Sequence, residues 1–444
     1  MLEKQTINLR QLGGNRAGEV KFGRWLANKK VTAMELINEI TGKTRIPATG
    51  RHVLAIQDTS EINYQAHVKR VSGLGTVGNG KDVGFFIHPI LILDAQDETC
   101  LGLGAIKSWI RTEGANPNYK KLPIEDKESY RWIEAPEEAK RTLSEAEKIT
   151  VIADRESDIY EEWYRIPDEK TFLITRACRD RKLINGSLLF DYVHKLKISG
   201  VYEFEVNERV GKRSAHTARL EIRFGEVEIK KPNTCISKEA PKSIKLKVVD
   251  VKEIPETIVG NEEPIHWCLL TTHSVQTKED ALQIVKWYCL RWNIEQLFRT
   301  LKKQGLDVES SQVETAEGLM KLVILALYVA LQTMQLILAR EGKDQLTSII
   351  FNEYEQKVLS LAQKKLEGKT QKQKNPHSPD KLSWAAWIIA RLGGWKGYKS
   401  ESPPGPITML RGLRRFETLL EGYQLAKLMQ PARRHQASPW CAIM

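Results

Sequence analysis

No two of the six cysteines, Cys100, Cys178, Cys235, Cys268, Cys289 and Cys441, lie close enough to form a CxxC pair. This spacing argues against a zinc module or a disulfide framework, and it fits a reducing compartment. The first residues, Met1-Leu2-Glu3-Lys4, offer no basic stretch leading into an apolar core, which argues against secretion. No internal repeat is evident. Long apolar runs are scarce as well. The one that needs a membrane test, Leu322 to Ala339, is interrupted by Gln332, Thr333 and Gln335 and only just reaches the length of a span. A helix buried against a sheet is the simpler reading, and no membrane partner is expected.

A chain of 444 residues is long enough for two or three domains. The net charge of +12 is consistent with a polyanionic partner, although basic proteins also occur without nucleic acid. Val53-Leu54-Ala55-Ile56-Gln57 is an apolar run closed by Asp58, Thr59 and Ser60. Ile149-Thr150-Val151-Ile152-Ala153 is a second, closed by Asp154 and followed by Arg155-Glu156-Ser157-Asp158. Unbroken β-branched runs of this length suit strands buried on both faces of a parallel sheet. In open α/β sheets functional groups gather outside the carboxyl ends of the strands, where both aspartates would lie. A strand-end turn or an N-cap is the alternative for either aspartate alone. Phe85 to Leu93 reads as a further strand, paired with the one that ends at Asp58.

Tyr288, Arg291, Glu295 and Lys302 recur at i, i+3, i+7 and i+14. On one continuous helix they fall within roughly 60° of a single face. Leu290, Ile294, Leu297, Phe298 and Leu301 fill the adjoining arc, so the apolar side packs on a core and the charged edge borders it. A solvated charged edge is the bland alternative. Two strand-end aspartates plus a helical glutamate are the hard oxygen ligands that Mg²⁺ prefers. A pair of such ions roughly 3.5–4 Å apart serves in-line phosphoryl displacement.

Taken together, Ala55-Ile56-Gln57-Asp58-Thr59-Ser60, Asp154-Arg155-Glu156-Ser157-Asp158 and the Tyr288/Arg291/Glu295/Lys302 spacing resemble the Tn-five-like DDE transposases of the insertion-sequence-four (IS-four) family. The likeness runs from about Val20 to about Met429 and includes Trp267-Cys268-Leu269-Leu270-Thr271 and Ile389-Ala390-Arg391-Leu392-Gly393-Gly394. The resemblance implies that Asp58, Asp154 and Glu295 form a catalytic triad holding two Mg²⁺ ions, with Mn²⁺ as a substitute. It makes Tyr288, Arg291 and Lys302 contacts to transposon-end phosphates. Trp267, 21 residues before Tyr288, matches the position that stacks on a flipped base. A core indole is the other reading of Trp267.

The implied fold class is α/β, a ribonuclease H-like catalytic core with an antiparallel β insertion and flanking helical N- and C-terminal regions. Residues 1–48 are expected to form a partial helical DNA-binding region. The likeness begins part-way into the family pattern there, which implies a truncated end-binding domain. Residues 49–175 and 267–363 are expected to make the two parts of the core, and 176–266 the insertion. Within the insertion, Tyr202/Phe204/Val206, Leu220/Ile222/Phe224 and Ile244/Leu246/Val248 alternate with charged residues. Arg209, Lys212, Arg213, Arg219 and Arg223 there are DNA-facing candidates, with solvated strand faces as the alternative. Residues 364–382 read as a polar, basic linker and 383–444 as a helical dimerisation region. Its stripe of Met409, Leu413, Phe416, Leu420 and Tyr423 either pairs with a second copy or folds back on its own domain. Gly412 and Gly422 weigh against one unbroken helix.

The function this implies is cut-and-paste DNA transposition: nicking of transposon ends, hairpin formation and strand transfer. Its partners would be transposon-end and target DNA and a second copy of the chain, in a bacterial cytoplasm at the nucleoid. The alternatives are a hydrolytic nuclease on the same fold and a truncated, non-catalytic transposition inhibitor.

Overall fold

The computed structural model describes residues 6–78, 80–111, 119–208, 213–303, 305–340, 342, 345–398 and 401–429. Arg209 and Lys212 lie outside the described residues, as does everything after Met429. The chain divides into two compact units, with Ile7–Leu338 as the larger and the smaller beginning at Ala339.

The larger unit is built on an eleven-stranded mixed sheet. In chain order its strands are β1 (His52–Gln57), β2 (Ser60–Asn63), β3 (Gly75–Val77), β4 (Asp82–Asp94), β5 (Cys100–Trp109), β6 (Lys148–Ala153), β7 (Thr171–Arg176), β8 (Gly200–Val206), β9 (His216–Lys230), β10 (Ser243–Glu253) and β11 (His266–Thr271). The spatial order is β2-β4-β1-β6-β7-β11-β10-β9-β8, with β3 and β5 also paired to β4. β1, β6 and β7 run parallel, and every other pairing is antiparallel. The expected α/β class is therefore present. So is the antiparallel sheet between Asp154 and Glu295, and it continues the central sheet through β11 rather than standing apart.

Burial follows sequence pattern. Val53 to Ile56 and Ile149 to Ile152 are essentially inaccessible, as strands covered on both faces must be. In β9 the buried positions alternate, Ala218, Leu220 and Ile222 facing inward, which is the signature of one wet face. The expected partnership of β4 with β1 holds, with Gln57 opposite Ile90. The same register resumes in β2, where Ser60 faces Ile87. Asp58 and Thr59 thus fall opposite Pro89 and His88, and Pro89 brings no N–H to the ladder. The pairing is interrupted at the aspartate.

The helices are set by identifiable caps. Asn15 caps Arg16–Leu26, and a reciprocal Thr32/Glu35 capping box starts Ala33–Gly42. The ammonium of Lys321 is fully buried on the long helix Ala316–Ala339 and donates to the carbonyls of Leu26 and Asn28 at 3.1 and 3.0 Å, while Glu317 balances its charge at 2.6 Å. It caps the end of the helix Arg16–Leu26 and ties it to the core. Ala316–Ala339 is the one helix among the described residues long and apolar enough to cross a membrane, and 78% of its most apolar window is buried in the protein. It is a core helix.

One expectation about helices is corrected. The segment carrying Tyr288, Arg291, Glu295 and Lys302 is not one helix but two, Lys278–Cys289 and Trp292–Lys302. The break at Leu290-Arg291 is held by tight i→i+3 bonds, Arg291 N–H to Tyr288, Asn293 N–H to Leu290 and Ile294 N–H to Arg291. The Asn293 side chain also donates to the Leu290 carbonyl at 2.9 Å, competing with a regular ladder.

In the smaller unit, Pro406–Met429 is a single helix despite Gly412 and Gly422. Gly412 is needed there, because a Cβ would meet the Ile389 carbonyl at 1.9 Å where the helix crosses Leu382–Leu392. Met409, Leu413, Phe416 and Leu420 are buried within this unit, Phe416 edge-on to Phe351. The apolar stripe therefore folds back on its own domain, while Leu425, Leu428 and Met429 at its end stay exposed. Residues 364–382 begin with the last turn of the helix Glu353–Leu366, and the Asn375 side chain donates to the Trp384 carbonyl at 3.0 Å.

Candidate active site

Parallel pairing of β1 with β6 places Leu54 opposite Thr150 and Ile56 opposite Ile152. Carried two residues further, that register sets Asp58 opposite Asp154, on neighbouring strands whose spacing is about 4.8 Å. Both carboxylates emerge just past the carboxyl ends of the strands. Asp154 caps the short turn Arg155–Ser157 and accepts from Glu156 N–H at 2.8 Å. Asp58 accepts from Thr59 N–H at 2.8 Å.

Arg291, at the junction of the two helices, reaches into this corner. Its Nη1 donates to Asp58 Oδ2 at 2.9 Å and its Nη2 to Glu295 Oε1 at 2.6 Å. The three side chains are mostly buried, with 16, 18 and 32% of Arg291, Asp58 and Glu295 exposed. Burial pushes the Asp58 carboxyl up to about 7, and the negative charges of Asp154 and Glu295 add to the effect, while Arg291 and the Thr59 N–H oppose it. Burial also acts against the Arg291 cation, yet Asp58, Tyr288, Glu295 and Asp154 outweigh it and hold its pKa above the ordinary value. One guanidinium thus leaves part of the negative charge of three carboxylates uncompensated. The structure brings Asp58, Asp154, Glu295 and Arg291 together.

Tyr288 is buried behind Arg291, its phenol pKa raised chiefly by burial, and it hydrogen-bonds to the Arg176 side chain. Trp267, on β11, is half-buried between the rings of Phe204 at 5.5 Å and Tyr288 at 5.9 Å. Lys302 lies about two turns beyond Glu295. Its ammonium donates to the Glu61 carbonyl at 2.8 Å and pairs with Glu309 at 3.1 Å. It is tied to β2 and to Glu309 rather than to Asp58, Asp154 or Glu295. In the insertion, Arg213 pairs with Glu262 and Arg223 with Glu221. Asp158, fully buried, receives the N–H groups of Cys178 and Arg179 and two bonds from Arg181, which fixes the loop after β6 against the end of β7.

Five residues beside the triad were not singled out by the sequence reading. Thr59 Oγ1 lies 2.9 Å from His88 Nδ1 and accepts from Arg131 Nε at 2.9 Å. His88 Nε2 lies 3.1 Å from Gln57 Oε1, and Gln57 Nε2 donates to Glu162 Oε1 at 3.0 Å. Burial raises the Glu162 carboxyl to about 8, against the hydrogen bonds of Ser157 and Gln57, so it is largely protonated at neutral pH. The available signal was polarity in the wrong place: Gln57 and His88 sit inside apolar runs, where a buried polar group must find partners.

The donor set suits a hard divalent cation in chemistry, being all carboxylate oxygens around uncompensated negative charge. In geometry it closes on the Arg291 guanidinium, and among the described residues no three His, Cys, Asp or Glu side chains stand ready-spaced around an ion.

Residues 134–331 match a family described as the transposase DDE domain, a span that includes Asp154 and Glu295. Among solved structures the chain is similar to a piggyBac transposase synaptic complex with hairpin DNA, seen by cryo-EM, at 9% identity and a TM-score of 0.35. That likeness covers 87% of this chain and 55% of the other, so the chain spans about half the length of that transposase.

Proposed function

We propose that this chain is a DDE-type polynucleotidyl transferase on a ribonuclease H-like core, acting on DNA ends as a cut-and-paste transposase. The observation that carries the reading is that Arg291 bridges Asp58 and Glu295 while strand register sets Asp154 opposite Asp58. The match of residues 134–331 to the transposase DDE domain supports the same chemistry.

Asp58, Asp154 and Glu295 are the residues that would hold Mg²⁺, or Mn²⁺ in its place. Two such ions, when bound, supply activation of an attacking oxygen and stabilisation of the leaving one. The protein's own contribution is positional. Asp58 and Asp154 are fixed by backbone N–H bonds and strand register, and Glu295 by the first turn of its helix. Arg291 neutralises carboxylates in the resting site and would turn to an incoming phosphodiester; Lys302, at the far end of the helix that follows it, would add a second cation on release from Glu309. Nicking, hairpin formation and strand transfer are the same in-line displacement with water or a 3′-hydroxyl as nucleophile, so one site serves all three. Trp267, between Phe204 and Tyr288, offers a ring face to a base leaving the duplex. Two ends must be held at once, which calls for a second copy of the chain in a synaptic complex. The working place would be the bacterial cytoplasm at the nucleoid.

The test is incubation with DNA carrying the element's own ends and Mg²⁺, followed by strand-resolved analysis. Nicked, hairpin and joined products are expected. Hydrolysis with no joining under any condition would leave a nuclease on the same fold.

A further inference from the structure

Arg131 opens the helix Arg131–Thr142, whose place is fixed by Trp132, fully buried and edge-on to the His88 ring at 4.7 Å. The Arg131 side chain is only 14% exposed. Its Nε donates to Thr59 Oγ1 at 2.9 Å, its Nη1 to the Glu128 carbonyl at 3.0 Å and its Nη2 to Glu156 Oε2 at 2.8 Å. The two side chains it grips belong to the two loops that carry the strand-end aspartates. Thr59 follows Asp58 and gives it an N–H bond, and Glu156 gives one to Asp154. A rigid planar fork therefore spans the gap between the carboxylates from behind.

The hydroxyl that Arg131 holds has only one way to point. Gln57 Nε2 faces the Trp132 carbonyl at 3.4 Å as well as Glu162, and a carbonyl only accepts, so the amide nitrogen is on that side. Gln57 Oε1 then accepts from His88 Nε2, which must carry the proton. His88 is completely buried, and burial together with Arg131 keeps it neutral, which leaves Nδ1 an acceptor. Thr59 must donate to Nδ1 and accept from Arg131, whose N–H groups are always donors. Every group in the chain from Arg131 to Glu162 is satisfied in a single polarity, so the network rigidifies Thr59.

We propose that Arg131 is a positioning residue of this site, setting the separation of Asp58 and Asp154 through Thr59 and Glu156, with the His88–Gln57–Glu162 chain fixing the hydroxyl it grips. The inference rests on the reading of the triad as a cation-holding centre. A group behind metal ligands typically changes affinity by about 10–100-fold when removed. Arg131→Lys keeps the charge and loses the fork, so it does not rescue.

The test is Mn²⁺ affinity of the full chain without DNA, read by electron paramagnetic resonance, with the thermal midpoint of the metal-free protein measured alongside. Wild type is expected to bind Mn²⁺ and Asp58→Asn to lose it. Arg131→Gln and Arg131→Lys are expected to weaken binding about 10–100-fold. Glu156→Gln, which alters a side chain that is 60% exposed, is expected to weaken binding in the same direction at an unchanged midpoint. It carries the test should the Arg131 variants fail to fold. Wild-type affinity in Arg131→Gln and Glu156→Gln, with Asp58→Asn inactive in binding, overturns the positioning role and leaves the triad reading intact. No Mn²⁺ binding by the wild type overturns both.

Discussion

Replacing Glu162 by Gln should make the protein's stability less dependent on pH. Glu162 has no exposed surface, and its Oε1 accepts from Gln57 while Oε2 meets the Ser157 hydroxyl. Burial lifts its pKa from 4.5 to about 8. Between those values the folded chain keeps a proton that the unfolded chain gives up. The stability this represents is fully present below 4.5 and is lost as pH rises through about 8. Each unit of separation is worth about 1.4 kcal/mol, so the whole effect is on the order of 3–5 kcal/mol. A glutamine mimics the protonated acid: its oxygen accepts from Gln57 and its amide donates to Ser157. Urea unfolding at pH 5.5, 6.5 and 7.5 (roughly the middle of the window) is the assay. Wild-type stability should fall by about 1.4 kcal/mol more per pH unit than that of Glu162→Gln. Equal slopes, or a steeper loss in the variant, would refute a buried neutral carboxyl at this position.

Two further outcomes concern DNA. Arg291→Ala and Lys302→Ala should each weaken binding to DNA ends and make its salt dependence shallower by about one unit of log–log slope, measured by titration over a range of salt. Trp267→Ala should spare nicking and impair hairpin formation in a strand-resolved assay; equal loss of both steps would mark Trp267 as a packing residue between Phe204 and Tyr288.

The parts of this molecule that were legible in the sequence are those governed by short-range pattern. Continuous apolar runs identified β1 and β6 as doubly covered strands, and period-two alternation identified the faces of the first half of β9, whereas β10 is covered on both faces from Val248 to Val251. The strand-end placement of Asp58 and Asp154 followed from those runs. Spacing within one segment was a weaker guide. The Tyr288-to-Lys302 periodicity assumes an unbroken helix, whereas the chain forms two, with Arg291 at the break bonded to Asp58 and Glu295. Side-chain pairings across long separations were not legible at all. Arg131 meets Thr59, and Lys302 meets the Glu61 carbonyl, only because the sheet brings distant segments together. The Gly412 contact is of the same kind: propensity counts a glycine against a helix, and the crossing at Ile389 demands one.

Strand cleavage is expected to depend on Asp58, Asp154 and Glu295 themselves and not on the scaffold around them. The most direct test compares wild type with Asp58→Asn, Asp154→Asn and Glu295→Gln on DNA carrying the element's ends, in Mg²⁺, scoring end binding and cleavage on the same samples. Each amide removes a charged ligand with little change of volume, so folding and end binding should persist while cleavage is lost in all three. Cleavage near the wild-type rate by any one of them would contradict the assignment of that residue to the site.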